Sequence, residues 1–171
     1  MKCLKQRLKE SISEIGYLGE DKLRSIVMFM LMWSYFEYRF LDKDATVDKL
    51  RDLPQSIHID IEELREELQC EINYFKERYN DEYRMRGLFP NGRNYGKRDV
   101  ENFINSDAAE SNVVLSGVLI IIYRLRNNMF HGEKFTNGME DQEENFDNSV
   151  KILEFILRNG QQVGVRRPRP E

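Results

Sequence analysis

The sequence is poor in the residues that build disulfide frameworks and metal sites. It contains two cysteines and two histidines in 171 residues, and Cys3 and Cys70 stand far apart. Disulfide scaffolds and zinc sites need closely and repeatedly spaced ligands, so both classes are excluded. We predict reduced thiols in a cytoplasmic protein, with Cys70 in or near the hydrophobic core, and we expect neither a metal nor another cofactor.

Long apolar runs are also lacking. The most apolar stretch, residues 26–33, is far shorter than the roughly 20 residues that a membrane-spanning helix needs. The N-terminal stretch is charged and amphipathic, and it lacks the apolar region and the cleavage site of a secretory signal. We therefore expect no association with a membrane.

Basic charge is not in excess either. The net charge is −4, with 26 Lys and Arg against 30 Asp and Glu, which argues against a protein that coats nucleic acid. Residues 84–98 are nevertheless locally basic, and screening restricts the reach of each charge to about 10 Å. This segment is therefore either a phosphate-binding loop or a solvated loop that happens to be basic. Its basic residues are Arg84, Arg86, Arg93, Lys97 and Arg98.

What the sequence does have is apolar residues at helical spacing, and no stretch alternates long enough to predict a strand. The helix over residues 21–41 is apolar on nearly every side of its middle, so we place it at the centre of the fold. Asp44 is expected to cap a short helix that stops before Pro54. Asp60 resembles an aspartate-capped capping box. The main predicted helices cover residues 4–17, 21–41, 61–79, 111–131 and 141–159.

These helices predict one all-α domain, an up-and-down bundle of four to five main helices over residues 1–160. Between residues 80 and 111 we expect a long loop, in which only residues 99–106 form a short helix. Residues 161–171 have two prolines and are expected to form a flexible basic tail. The predicted core positions are Trp33, Phe36 and Phe40; Ile61, Leu64, Leu68, Ile72, Phe75 and Tyr79; and Phe146, Val150, Leu153 and Leu157.

The fourth of these main helices ends in a concentrated polar cluster, YRLRNNMFHGEK, at residues 123–134. A helix advances about 100° per residue, so Asn127 and His131 share a face and Arg124 lies one further turn along it. Arg126 lies roughly 140° around the helix from His131, so a second chain packed antiparallel along this helix is one way to bring them together. An ordinary helix end is the alternative, because the last carbonyls favour cations by about 0.3–1 kcal/mol.

The cluster resembles the motif of the HEPN superfamily (higher eukaryotes and prokaryotes nucleotide-binding domains). In that motif an arginine and a following polar residue precede a histidine, with four to six residues between the two anchors. RNNMFH, at residues 126–131, fits this pattern, and the aliphatic helix before it is similar to the form of many prokaryotic members. WSYFE, at residues 33–37, looks like the aromatic helix often found upstream in them. The resemblance is close over residues 111–134, loose over the second helix and absent elsewhere except in helix order.

What the resemblance implies is a metal-independent endoribonuclease, in which two copies of a helical chain form a homodimer with the motifs at a cleft along the interface. Arg126 and His131 match the two anchors of the motif and Asn127 matches its polar position, so these are the implied catalytic residues. Arg124 and Lys134 lie outside the motif and are candidates from position and charge alone. The candidate substrate-binding residues are Asn128, Arg124 and Lys134.

A toxin or a phage-defence effector is the biological role that the resemblance implies, with an antitoxin as neutralising partner. Some HEPN toxins that pair with a minimal nucleotidyltransferase have a tyrosine two residues after the motif histidine. This chain has Glu133 there, so that pairing is not supported, while another neutralising protein stays open. The alternatives are a non-catalytic HEPN-like dimerisation or nucleotide-binding module that acts with a partner protein, and an unrelated helical scaffold.

Overall fold

The structure is a computed structural model, which describes residue 6 and residues 19–106, 111–130 and 141–162. Within these residues the regular secondary structure is helical, apart from one antiparallel pairing of two strands of two residues each. The all-α prediction is therefore confirmed. The helices are α1 (Glu20–Phe40), α2 (Val47–Ser56), α3 (Ile61–Tyr79), α4 (Glu82–Leu88), α5 (Lys97–Asn105), α6 (Ser111–Phe130) and α7 (Glu143–Asn159), and the strands are β1 (Ile57–His58) and β2 (Gln161–Gln162).

Helix α6 lies at the centre of the fold. Its residues 114–122 are buried on every side, and it packs against α2 and α5, with further contacts to α3 and α4. Gly117 allows α5 to come close, because a Cβ added there would lie 2.2 Å from the Cβ of Phe103. Helix α7 packs against α1 and α3, and the rings of Phe29 and Phe146 stack with their centroids 4.9 Å apart.

Several predicted helices and core positions are confirmed. Helix α1 buries Trp33, Phe36 and Phe40, and α3 buries its apolar stripe from Leu64 to Tyr79. The Asp60 carboxylate accepts hydrogen bonds from the backbone N–H groups of Glu62 and Glu63, at 2.9 and 3.2 Å, and so caps α3 as predicted. The predicted helix over residues 4–17 lies outside the described residues.

The segment between residues 80 and 111 is more ordered than predicted. Helix α4 forms there, with Asp81 as its N-cap and with Met85 and Leu88 buried. A 3₁₀ turn at Pro90–Gly92 and helix α5 follow. The prediction of a long loop was wrong because α4 is only seven residues long, too short to show a helical period, and contains Gly87.

Two boundaries around α2 also differ from the predictions. The N-cap is Thr46 instead of Asp44, and its side chain accepts a hydrogen bond from the backbone N–H of Lys49 at 3.2 Å. The helix continues through Pro54 to Ser56. Its last turn is held at the Leu53 carbonyl, which accepts hydrogen bonds from the Ile57 backbone N–H and the Ser56 hydroxyl.

Three further predictions are corrected by burial and pairing. Cys70 is exposed, because it lies two residues, or about 200°, beyond the buried Leu68 on α3. The face that α7 buries includes the polar residues Asn145 and Ser149, whereas Val150 and Leu157 are only partly buried. Residues 161–162 pair with β1, so the predicted tail begins two residues too early, and residues 163–171 lie outside the described part of the chain.

Helix α1 is not central, contrary to the prediction, because one of its faces is exposed and apolar. The exposed fractions on this face run from 38% for Met28 to 61% for Leu31. We call this face the outer stripe of α1. None of the helices in the described ranges is both long and apolar enough to cross a bilayer. The outer stripe consists of Val27, Met28, Leu31, Tyr35 and Tyr38.

Candidate functional site

The polar cluster singled out in the sequence forms the C-terminal part of α6. Arg124, Arg126, Asn127 and Asn128 all belong to this helix, which the structure describes to Phe130. His131 and Lys134 lie outside the described residues. The geometry of four of the six predicted site residues can therefore be examined directly.

Arg126 is held between two oxygen acceptors. Its Nη2 lies 3.7 Å from the Glu37 Oε2 on α1, and its Nη1 donates a hydrogen bond to the Asn127 Oδ1 at 2.9 Å. The Arg126 side chain is 31% exposed and that of Glu37 is 17% exposed. The structure thus brings Arg126 and Asn127 together, on the side of α6 that faces α1.

Glu37 is the residue that sequence reasoning missed. Its Oε2 accepts a hydrogen bond from the Trp33 Nε1–H at 3.1 Å, and its Oε1 accepts one from the Ala45 backbone N–H at 3.1 Å. Both oxygens are therefore used within the protein. The one signal in the sequence is a carboxylate four residues after a tryptophan in an aromatic helix, where the two side chains share a face.

Arg124 has a different environment from Arg126, although only one residue separates them. Its side chain donates a hydrogen bond to the Tyr95 carbonyl, and its guanidinium carbon lies 5.0 Å from the centroid of the Phe89 ring. Arg124 is 9% exposed. Burial lowers the pKa of its guanidinium below the ordinary value, and the nearby positive charge of Arg93 adds to this effect.

Asn128 is also committed to internal contacts. It is buried, and its Nδ2 donates hydrogen bonds to the carbonyls of Gly87 and Leu88, at 3.3 and 3.1 Å. These bonds cap carbonyls at the C-terminal end of α4, which otherwise have no partner within the helix. Asn128 and Arg124 therefore tie the segment after α4 to α6, and this geometry gives them a structural role where substrate binding was predicted.

Helix geometry separates these two residues from Arg126. Arg126 lies about 200° around α6 from both Arg124 and Asn128. The basic segment over residues 84–98 is anchored by those two residues and so lies on the side of α6 away from Arg126. Its residues Arg84, Arg86, Arg93 and Arg98 are exposed, but the described contacts do not place them beside Arg126.

The outer stripe of α1 lies on the same helix as Glu37. Tyr38 follows Glu37 directly, about 100° around the helix, and its ring stacks on that of Tyr35 with the centroids 6.2 Å apart. The ammonium group of Lys43 lies 5.5 Å from the centroid of the Tyr38 ring. The helix that supplies the carboxylate for Arg126 therefore also carries an exposed aromatic and aliphatic surface.

The chemistry open to these residues is recognition of an anion. A guanidinium presents a planar fork of N–H donors that matches phosphate oxygens, and Asn127 adds an amide beside it. In the part of the chain that the structure describes, no group of three or more His, Cys, Asp or Glu side chains is arranged to hold a metal. A proton-transfer group would have to come from another residue, and His131 is the candidate that the sequence supplies.

Comparison with known proteins gives this chain no relative. No family model, no curated protein and no solved structure matches it.

Proposed function

We propose that this protein is a metal-independent endoribonuclease of the HEPN type, with Arg126, Asn127 and His131 as its catalytic residues. The observation that carries the proposal is the setting of Arg126, which is half-buried beside a carboxylate and next to Asn127. The RNNMFH sequence around it supplies the histidine that acid–base chemistry needs.

RNA carries its own nucleophile, the 2′-hydroxyl next to the scissile phosphate. In the proposed reaction, His131 removes the hydroxyl proton, since a histidine titrates near neutral pH. The 2′-oxygen bonds to phosphorus, the bond from phosphorus to the 5′-oxygen breaks, and that oxygen takes up a proton. Arg126 stabilises the charge that develops on the phosphate, and the products carry a 2′,3′-cyclic phosphate and a 5′-hydroxyl.

A homodimer is part of the proposal. The outer stripe of α1 offers five large apolar or aromatic side chains to solvent on the helix that carries Glu37. Exposed apolar patches of this kind mark interaction sites, and a second copy on this surface would lie beside the site. The second copy can then supply a protonated His131 to the leaving oxygen. The biological role proposed is that of a cytoplasmic toxin or phage-defence effector, held in check by a neutralising protein.

A non-catalytic HEPN-like module, which dimerises or binds nucleotides and acts with a partner protein, is the second candidate. The internal contacts of Arg124 and Asn128 favour it, because both side chains donate to backbone carbonyls of the protein. The net charge of −4 favours it as well. A nucleotide-binding module would also place an anion at Arg126, and it would differ from the ribonuclease because no bond is broken there.

The experiment that separates them compares the wild-type protein with His131→Ala. We expect the purified wild type to cleave single-stranded RNA in the presence of a metal chelator, and not to cleave the same strand with a deoxyribose at the scissile position. His131→Ala should lose about 10²–10⁴-fold in rate. His58→Ala, which changes the only other histidine, at an exposed position, is the matched control and should keep full activity.

The same variants can be expressed in cells, where growth arrest with RNA fragmentation is expected for the wild type and His58→Ala alone. A wild type that leaves RNA intact, or equal cleavage by His131→Ala, would remove the ribonuclease proposal in favour of the binding module.

A further inference from the structure

We propose that Glu37 is a positioning residue for Arg126, and that its carboxylate holds the guanidinium in the orientation in which it meets the substrate phosphate. This inference rests on the proposed ribonuclease function and adds a residue from outside the motif to the site. It is carried by the contacts of Glu37, which connect α1, the turn after α1, and α6.

The position of the Glu37 carboxylate is set by contacts other than its contact with Arg126. The Trp33 indole and the Ala45 backbone N–H each occupy one oxygen, both at 3.1 Å. Trp33 is itself 1% exposed and lies in the core. Because the indole lies four residues before Glu37 on the same helix and cannot move without disturbing the core, Glu37 has little freedom to follow Arg126.

The distance between Glu37 and Arg126 suits orientation by charge. At 3.7 Å the ion pair is longer than a hydrogen bond, which has a donor–acceptor distance of about 2.7–3.2 Å. The attraction turns the guanidinium towards α1. At this distance the Arg126 Nη2 does not donate a close hydrogen bond to the Glu37 Oε2 that an incoming phosphate would have to break. Low exposure of both side chains strengthens the attraction relative to a surface pair.

Two other roles for Glu37 lead to different outcomes. If the carboxylate only fastened the turn through Ala45, its charge would be irrelevant. If it competed with the substrate for Arg126, its removal would tighten RNA binding and lower KM. Glu37→Gln distinguishes these roles, because glutamine keeps an acceptor oxygen for Ala45 and removes the charge that Arg126 meets.

The matched control is Glu71→Gln. The Glu71 carboxylate is also buried and pairs with a cation, the Lys151 ammonium, at 2.7 Å. The pair joins α3 to α7, away from Arg126. The control therefore carries the same chemical change at a carboxylate of low exposure that pairs with a cation, without the proposed link to the site.

The test combines RNA cleavage kinetics with the arginine side-chain signals in ¹H–¹⁵N spectra. We expect Glu37→Gln to lower kcat by about 10–100-fold with KM changed less than about threefold, since small misplacements of a catalytic group cost rates of this order. The Arg126 side-chain signal, assigned with Arg126→Lys, should shift in Glu37→Gln and not in Glu71→Gln. Glu71→Gln should cleave RNA at the wild-type rate.

An unchanged kcat, a lowered KM, or an unshifted Arg126 signal in Glu37→Gln would overturn the positioning role. A wild type that cleaves no RNA would instead overturn the proposed function. In that case the Arg126 signal alone decides whether Glu37 orients the guanidinium, so the two failures can be told apart.

Discussion

Arg124 and Arg126 stand two positions apart on the same helix and occupy opposite sides of it. Arg124 points into the fold, where its guanidinium meets the Tyr95 carbonyl and the Phe89 ring. Arg126 points towards α1, where it remains partly exposed and faces the Glu37 carboxylate. One arginine thus joins segments of the chain, and the other sits where a solvent-borne anion can reach it.

This difference shows that polar residues at the end of one helix can have separate roles. The cluster in the sequence contains more polar residues than one site needs, and helix geometry sorts them by direction. The side of Arg124 and Asn128 binds backbone carbonyls of residues 87–95. The side of Arg126 is left to meet the substrate phosphate, and the following experiments test that division.

The largest effect is expected from a crossed pair of substitutions, Arg126→Ala and Arg124→Ala. Arg126→Ala should lower RNA cleavage about 10²–10³-fold, because a charge-stabilising donor is lost, and should change the free energy of unfolding by less than about 1 kcal/mol. Arg124→Ala should lower the free energy of unfolding by about 2–3 kcal/mol, because a charged hydrogen bond and a cation–π contact are lost. Urea unfolding and cleavage rates measure both.

The informative result is the contrast between the two variants, since one should lose activity and the other should lose stability. If Arg124→Ala remains as stable as the wild type, the structural role given to Arg124 is wrong. If Arg126→Ala loses stability and activity in parallel, Arg126 is a structural residue as well, and the comparison between the two sides collapses.

The next largest effect is expected at the outer stripe of α1, the surface of the proposed homodimer. Leu31→Lys places a charge at the most exposed position of the outer stripe and should weaken the proposed homodimer roughly 100-fold, equivalent to about 2–3 kcal/mol. The monomer should remain folded, because Leu31 is 61% exposed. Sedimentation velocity over a dilution series gives the dissociation constant.

Tyr83→Lys is the control for that change, because Tyr83 is a large side chain with 76% exposure on α4, outside the outer stripe. Equal weakening by both variants would mean that the effect is one of charge in general. A wild type that is monomeric at all concentrations would take the outer stripe out of the proposal.

The sequence was sufficient for the order of the main described helices and for most of their core. Residues such as Trp33, Phe36 and Phe75 recur at helical spacing, and this periodicity reports burial directly. It failed at α1, whose exposed face is as apolar as its buried one, so that the pattern could not distinguish a central helix from one with a free surface. The periodicity failed again at α4. This helix buries only Met85 and Leu88 and is capped by Asp81, so it presents no repeated apolar stripe.

The site was predictable only in part, because its decisive contact is tertiary. The motif puts Asn127 directly after Arg126 in the chain, but the Glu37 carboxylate comes from a helix almost ninety positions earlier. The burial of Arg124 and Asn128 depends on the path of residues 87–95. Local spacing carries no information on either feature.

The smallest effect tests the ion pair on the Arg124 side of the molecule, which joins α2 to α5. The Arg51 guanidinium donates two hydrogen bonds to the Asp99 carboxylate, both at 2.9 Å, and this lowers the pKa of Asp99 below its ordinary value of 3.8. A carboxylate with a lowered pKa in the folded state stabilises the fold above that ordinary value, and the contribution is lost as pH falls through the lowered pKa.

Asp99→Asn should therefore be less stable than the wild type by about 1 kcal/mol near pH 6, since Arg51 is partly solvated. The difference should shrink as the pH falls below 3.8, as measured by urea unfolding between pH 6 and pH 2.5. In an Arg51→Met background the same substitution should lose most of this pH dependence, because the guanidinium is its main cause. If the difference in the free energy of unfolding stays constant with pH, the charge of Asp99 does not stabilise the Arg124 side of the molecule. The contacts of Arg124 and Asn128 with backbone carbonyls would then hold that side without help from the ion pair.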